Sequence, residues 1–139
     1  PETGRVSLRD YYAIDDVGRV INPMIVEGQV HGGLAQGIGQ ALMEHIRYDP
    51  QSGQLISGSF MDYGIPRADD LPPFKCMTQE TLSPTNPLGV KGAGESGTIG
   101  APAALANAVV DALWHLGVRH VEMPMTPMGV LEAIRKATA

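Results

Sequence analysis

Between residues 24 and 46 an apolar residue returns every four positions, at Val26, Val30, Leu34, Ile38 and Leu42. That spacing is one face of a helix. Gly28, Gly32, Gly33, Gly37 and Gly39 lie inside the same stretch. Each interior glycine costs on the order of 1 kcal/mol relative to alanine. Five together reach roughly 5 kcal/mol, comparable with the whole stability of a small domain. Such a helix forms only where something requires the missing side chains, either a second backbone packed very close or a ligand. Any fold for this chain has to supply that neighbour.

The chain of 139 residues suits one domain with a real core and is too short for two. Gly and Pro make up 28 of 139 residues, below the level at which low-complexity disorder takes over. Around the glycine-rich segment the pattern predicts an α+β domain, with helices packed on a small mixed sheet. Helices are expected at about 24–46 and 100–116, the second with Pro102 in its first turn and Gly117 as its stop. The second is so apolar all round that burial on several sides is expected. A terminal helix is expected from about 127, with Thr126 as N-cap and Pro127 in the first position. Short strands are expected near 5–14, 74–82 and 118–123, with a weaker candidate within 55–63. Residues 48–54 read as a turn and 83–100 as a Pro/Gly-dense loop. No unbroken run of 18 apolar residues occurs, so no membrane span is expected.

The formal net charge is −5, which argues against a nucleic-acid partner, since that needs a basic face. The single cysteine, Cys76, excludes an internal disulfide and any multi-cysteine metal site. It reads as a buried, inert thiol. The four histidines have no ligand spacing, so no protein-held metal is expected. The densest motif is Gly89-Val-Lys91-Gly92-Ala-Gly94-Glu95-Ser96-Gly97. It contains a literal G-x-G-x-x-G, yet Pro84 and Pro87 stand where a buried strand should lead in, and Glu95 would face a bound pyrophosphate. A nucleophile elbow around Ser96 fails because Thr98 takes its last glycine position. What remains is one carboxylate on a glycine loop before an apolar helix. It reads either as a general base among backbone amides or as a helix cap. Gln29, Gln36 and Gln40 on the first helix read either as ligand contacts or as its solvated face.

Three segments together resemble the C-terminal region of the molybdenum hydroxylase large subunit, the family of xanthine dehydrogenase, aldehyde oxidase and aerobic carbon monoxide dehydrogenase. They are Asn22-Pro-Met-Ile-Val-Glu-Gly-Gln29-Val-His-Gly32-Gly33-Leu-Ala-Gln36-Gly37, then Gly89 to Gly97 with Ala101-Pro-Ala-Ala-Leu-Ala-Asn107-Ala108, and Met125-Thr-Pro-Met-Gly-Val-Leu131. Their order and spacing agree over about 130 residues. The resemblance implies that residues 1–139 are the C-terminal part of a molybdopterin-binding domain, a piece of a larger subunit. It implies an oxidoreductase that hydroxylates an electron-poor carbon at molybdenum. Glu95 aligns with the family's general base. Gln29, Gly32, Gly33, Gln36, Lys91, Gly92 and Gly94 fall at the cofactor. The metal is held by the dithiolene of a molybdopterin, in the cytosine dinucleotide form, and by no side chain. The chain alone is then expected to hold no cofactor and to be inactive. The implied partners are the remainder of the large subunit, iron–sulfur and flavin subunits and a small-molecule substrate, and the implied compartment is the cytoplasm. The alternative is a non-catalytic domain that binds a partner or a nucleotide-like ligand.

Overall fold

A computed structural model describes residues 1–139 in full. The glycine-rich segment is a helix, α1 (Pro23–Leu42). Asn22 starts it by accepting a hydrogen bond from the Ile25 amide at 3.2 Å, and Pro23 fills the first turn, where no amide is needed. The helix ends four residues before its expected limit. The amides of Met43 and Glu44 both turn back to the Gly39 carbonyl, at 3.0 and 2.8 Å, and Glu44 accepts a hydrogen bond from the Tyr63 hydroxyl at 2.6 Å. The four-residue stripe is real: Val30, Leu34, Ile38 and Leu42 are all buried.

Two strands, β1 (Tyr11–Asp15) and β2 (Phe74–Thr78), pair in parallel, from Tyr11 opposite Phe74 to Asp15 opposite Thr78. Both are shorter than the sequence suggested. Pro72 and Pro73 precede β2 and lack the amides that would extend the ladder toward residues 5–10. Beyond Asp15 the chain turns, with the Gly18 amide on Asp16 Oδ1 at 2.9 Å, so residues 80–82 have no partner strand. The two-strand sheet puts Tyr11, Ala13, Phe74 and Cys76 against Val30 and Leu34 and leaves Tyr12, Ile14 and Met77 exposed. The candidate strand within 55–63 reduces to one bridge, Tyr48 to Leu55, across the expected turn. The expected strand at 118–123 does not form. Those residues have no ladder partner, although Val118 and Val121 anchor in the core.

The Pro/Gly-dense loop holds a short helix that the pattern did not foretell, α2 (Ser96–Ile99), followed after Gly100 by α3 (Ala101–Leu113) and a 3₁₀ turn at Trp114–Leu116. Gly117, at φ 89°, stops it as expected. Within the 21 residues Ser96–Leu116 an 18-residue window reaches a mean hydropathy of 1.2, long and apolar enough by length and composition to cross a membrane, although it is no unbroken apolar run. A core helix meets the same test, and this one is broken at Gly100 and packs along α1. Only one face of α3 is covered, through Ala101, Leu105 and Val109; burial on several sides is not met within this chain. α4 (Pro127–Thr138) begins on Thr126, which caps the Gly129 amide at 3.3 Å. Its Val130 and Ile134 close the main core with Ile38, Leu42, Leu105, Val109 and Met125.

Candidate functional site

The glycines divide by what stands beside them. A Cβ on Gly97 would lie 2.5 Å from the Val30 carbonyl oxygen, and one on Gly33 would lie 2.9 Å from the Thr98 amide nitrogen. A Cβ on Gly37 would meet Ala101 Cβ at 2.5 Å. These three therefore answer to a helix crossing, in which α2 and the start of α3 lie directly on the backbone of α1. The Thr98 hydroxyl locks the crossing by donating to the Gly33 carbonyl at 2.8 Å. Gly28, Gly32, Gly92 and Gly94 are different, for a Cβ on any of them would meet nothing within 4 Å. Nothing in this chain requires them to be glycine.

The loop that carries Glu95 is fixed at both ends. Upstream, Asn86 makes two hydrogen bonds with Val90, its Nδ2 to the carbonyl at 3.0 Å and its Oδ1 from the amide at 3.1 Å. Gly18 and Gly89, at φ 62° and 70°, pack against each other so closely that a Cβ on Gly18 would overlap the Gly89 carbonyl. The Lys91 amide donates to the Val17 carbonyl at 2.9 Å, and its ammonium pairs with Asp16 at 2.6 Å. Asp16 also accepts the Gly18 and Thr81 amides at 2.9 and 3.2 Å. Its carboxyl is held well below the usual carboxylate range, first by Lys91 and then by the Gly18 amide. Downstream, the Glu95 carbonyl accepts the Thr98 and Ile99 amides at 3.0 and 3.2 Å, and Gly97 is wedged against α1.

Glu95 itself occupies the N-cap position of α2, yet its side chain makes no capping bond. The carboxylate is exposed and belongs to no ion pair. The backbone is held and the carboxylate is free. Of the other expected site residues, Gln29, Gly32, Gln36, Gly92 and Gly94 are exposed, while Gly33 is buried in the crossing and Lys91 is engaged by Asp16. Asp16, Asn86 and Thr98 shape the loop and were not foreseen. In the sequence Thr98 stands out only as the residue that breaks a nucleophile elbow. Cys76 is half-buried rather than buried as expected, and its partial burial, with Asp15 and Glu27 nearby, pushes the thiol above the ordinary range. No cluster of side chains could hold a metal ion.

Gln29 and Gln36 are exposed, Gly28, Gly32, Gly92 and Gly94 have open space where a Cβ would stand, and the Glu95 carboxylate is exposed and outside every ion pair. The sequence matches the family model of the molybdopterin cofactor-binding domain over residues 1–72, just over half the chain. The chain belongs to that family. It is 48% identical to the nicotine 6-hydroxylase large subunit of Paenarthrobacter nicotinovorans over 97% of its own length and 16% of that protein's. It is 41% identical to the carbon monoxide dehydrogenase large chain of Hydrogenophaga pseudoflava over 96% of its length and 17% of that chain. The fold superposes on quinoline 2-oxidoreductase from Pseudomonas putida 86 with a TM-score of 0.91 at 47% identity, covering 96% of this chain and 17% of that one. The chain thus spans about a sixth of the length of the relatives it matches.

Proposed function

We propose that this chain is the C-terminal piece of a molybdenum-dependent hydroxylase or dehydrogenase large subunit, and that Glu95 is its general base. The observation that carries the reading is the contrast at residue 95, where a backbone fixed on both sides bears a carboxylate with no structural partner. A capping or ion-pairing residue would have its charge engaged. In this reading Gln29 and Gln36 hydrogen-bond the molybdopterin, and the absent side chains of Gly28, Gly32, Gly92 and Gly94 let it come down to the backbone. Gly33 and Lys91 act one step back, holding the crossing and the loop.

When bound, the molybdenum cofactor supplies the two-electron redox chemistry of hydroxylation. Glu95 accepts a proton at a carboxylate oxygen as the nucleophile is activated. The reading extends to the cytosine dinucleotide form of the cofactor, to iron–sulfur and flavin partner subunits that carry electrons away, to a small-molecule substrate and to a cytoplasmic setting. The chain has one cysteine and cannot itself hold a cysteine-ligated cluster.

The test is Glu95→Gln in the assembled enzyme. The amide is nearly isosteric and no capping bond is lost, so the melting temperature and the molybdenum and pterin content should stay unchanged. Single-turnover reduction by substrate should slow by about 10²–10⁴-fold. Normal reduction with a lowered melting point would return Glu95 to a structural role and end the catalytic assignment.

A further inference from the structure

Thr98 joins two parts of the molecule that the proposed site needs at a fixed separation. Its amide donates to the Glu95 carbonyl at 3.0 Å, and its hydroxyl donates to the Gly33 carbonyl at 2.8 Å, 65 residues away in the chain. On α1, Gly33 directly follows Gly32 and lies one turn beyond Gln29, two exposed positions that the proposed site assigns to the cofactor. One half-buried residue therefore bridges the residue that bears the carboxylate and the helix that bears the cofactor surface.

No other hydrogen bond does this. From Gly92 to Gly100 the Thr98 hydroxyl makes the only one that reaches α1. Upstream of Glu95 the nearest backbone tether is the Lys91 amide on the Val17 carbonyl, with Gly92, Ala93 and Gly94 between. Two of those three residues are glycines, which transmit little restraint. Downstream, Gly97 lets α2 come down onto α1, since a Cβ there would lie 2.5 Å from the Val30 carbonyl oxygen. Such close packing fixes how near α2 approaches. A hydrogen bond weakens steeply off its axis, so it also fixes where along α1 the approach is made.

We propose that Thr98 is a positioning residue, whose hydroxyl bond to Gly33 holds Glu95 in register with the cofactor surface of α1. The proposal rests on the reading of Glu95 as the general base. It makes the reaction sensitive to a group that touches neither substrate nor cofactor, because a misplacement of about 1 Å can cost on the order of 10²-fold in rate.

The test compares the assembled, cofactor-loaded enzyme with its Thr98→Val and Thr98→Ser variants. Valine keeps the branched shape and removes only the donor, and the Gly33 carbonyl keeps its place in the ladder of α1, so the molybdenum and pterin content should stay unchanged. Hydrogen–deuterium exchange at the Thr98 and Ile99 amides, both of which bond the Glu95 carbonyl, should quicken on the order of tenfold in Thr98→Val while the amides of Ile38 to Leu42 stay protected. The limiting rate of single-turnover reduction, read with quinoline, nicotinamide and benzaldehyde as electron-poor probes, should fall by about 10–100-fold at an unchanged half-saturating concentration. Thr98→Ser should recover most of both. Exchange and limiting rate unmoved by Thr98→Val would overturn the proposal. Quickened exchange with a native limiting rate would overturn it too, leaving the bond as packing alone, and so would a Thr98→Ser enzyme no better than Thr98→Val. The Glu95→Gln variant separates this proposal from the reading beneath it. Loss of reduction there beside a native rate in Thr98→Val removes only the role of Thr98, whereas a native rate in Glu95→Gln removes the base itself.

Discussion

The two halves of α1 carry the same kinds of residue to opposite ends. From Gly33 to Leu42 the helix is largely buried, and its glycines lie under α2, α3 or the chain near Pro66. From Pro23 to Gly32 it is mostly exposed, with Met24 and Ile25 at 76% and 58% and with open space above Gly28 and Gly32. In the first case a glycine is required by a backbone that crosses the helix. In the second this chain supplies no reason for one. A glycine-rich helix is therefore not one signal but two superposed, and only the neighbour tells them apart.

Substitution separates the halves. The largest structural effect should follow Gly97→Ala, because the new methyl meets the Val30 carbonyl oxygen at 2.5 Å and neither backbone can yield cheaply. Overpacking of that kind costs typically about 1–3 kcal/mol, and chemical denaturation should show it. Little or no loss would mean that the crossing is loose and that Gly97 is not required by the α1 backbone.

A smaller effect of the opposite sign should follow Gly32→Ala. Its methyl meets nothing, and alanine is the better helix former by up to about 1 kcal/mol. Stability should rise while molybdopterin content in the assembled enzyme falls. A rise in stability with full cofactor content would leave Gly32 without a ligand role. The adjacent Gly33→Ala gains the same propensity but places its methyl 2.9 Å from the Thr98 amide nitrogen, so its net effect should be a loss.

The smallest effect concerns the Asp16–Lys91 clasp, which is solvent-exposed. The folded-state affinity of Asp16 for protons is lowered, so the clasp contributes stability above the ordinary aspartate pKa of about 3.9 and loses it as pH falls below that value. Asp16→Asn should be slightly less stable at neutral pH, and its stability should fall less steeply on acidification below about pH 4. Parallel acid profiles for the two proteins would remove Asp16 from the account of how the Glu95 loop is held.

What the sequence by itself determined is local. Periodicity placed α1, α3 and α4, and prolines, caps and the stop at Gly117 marked most of their ends, because those signals act over one or two turns of chain. The order of three motifs was enough to point to the family. Tertiary structure alone decided the rest. The sequence could not say that Gly33 lies under Gly97 and Thr98, some 65 residues away, or that Gly32 beside it lies under nothing. Nor could it say that Asp16 would take Lys91 from across the fold, leaving the Glu95 carboxylate free on a fixed backbone. Strand composition likewise marked residues 118–123 without supplying a partner. Close approach and pairing depend on what is brought alongside from a distance, and no window of neighbouring residues carries that information.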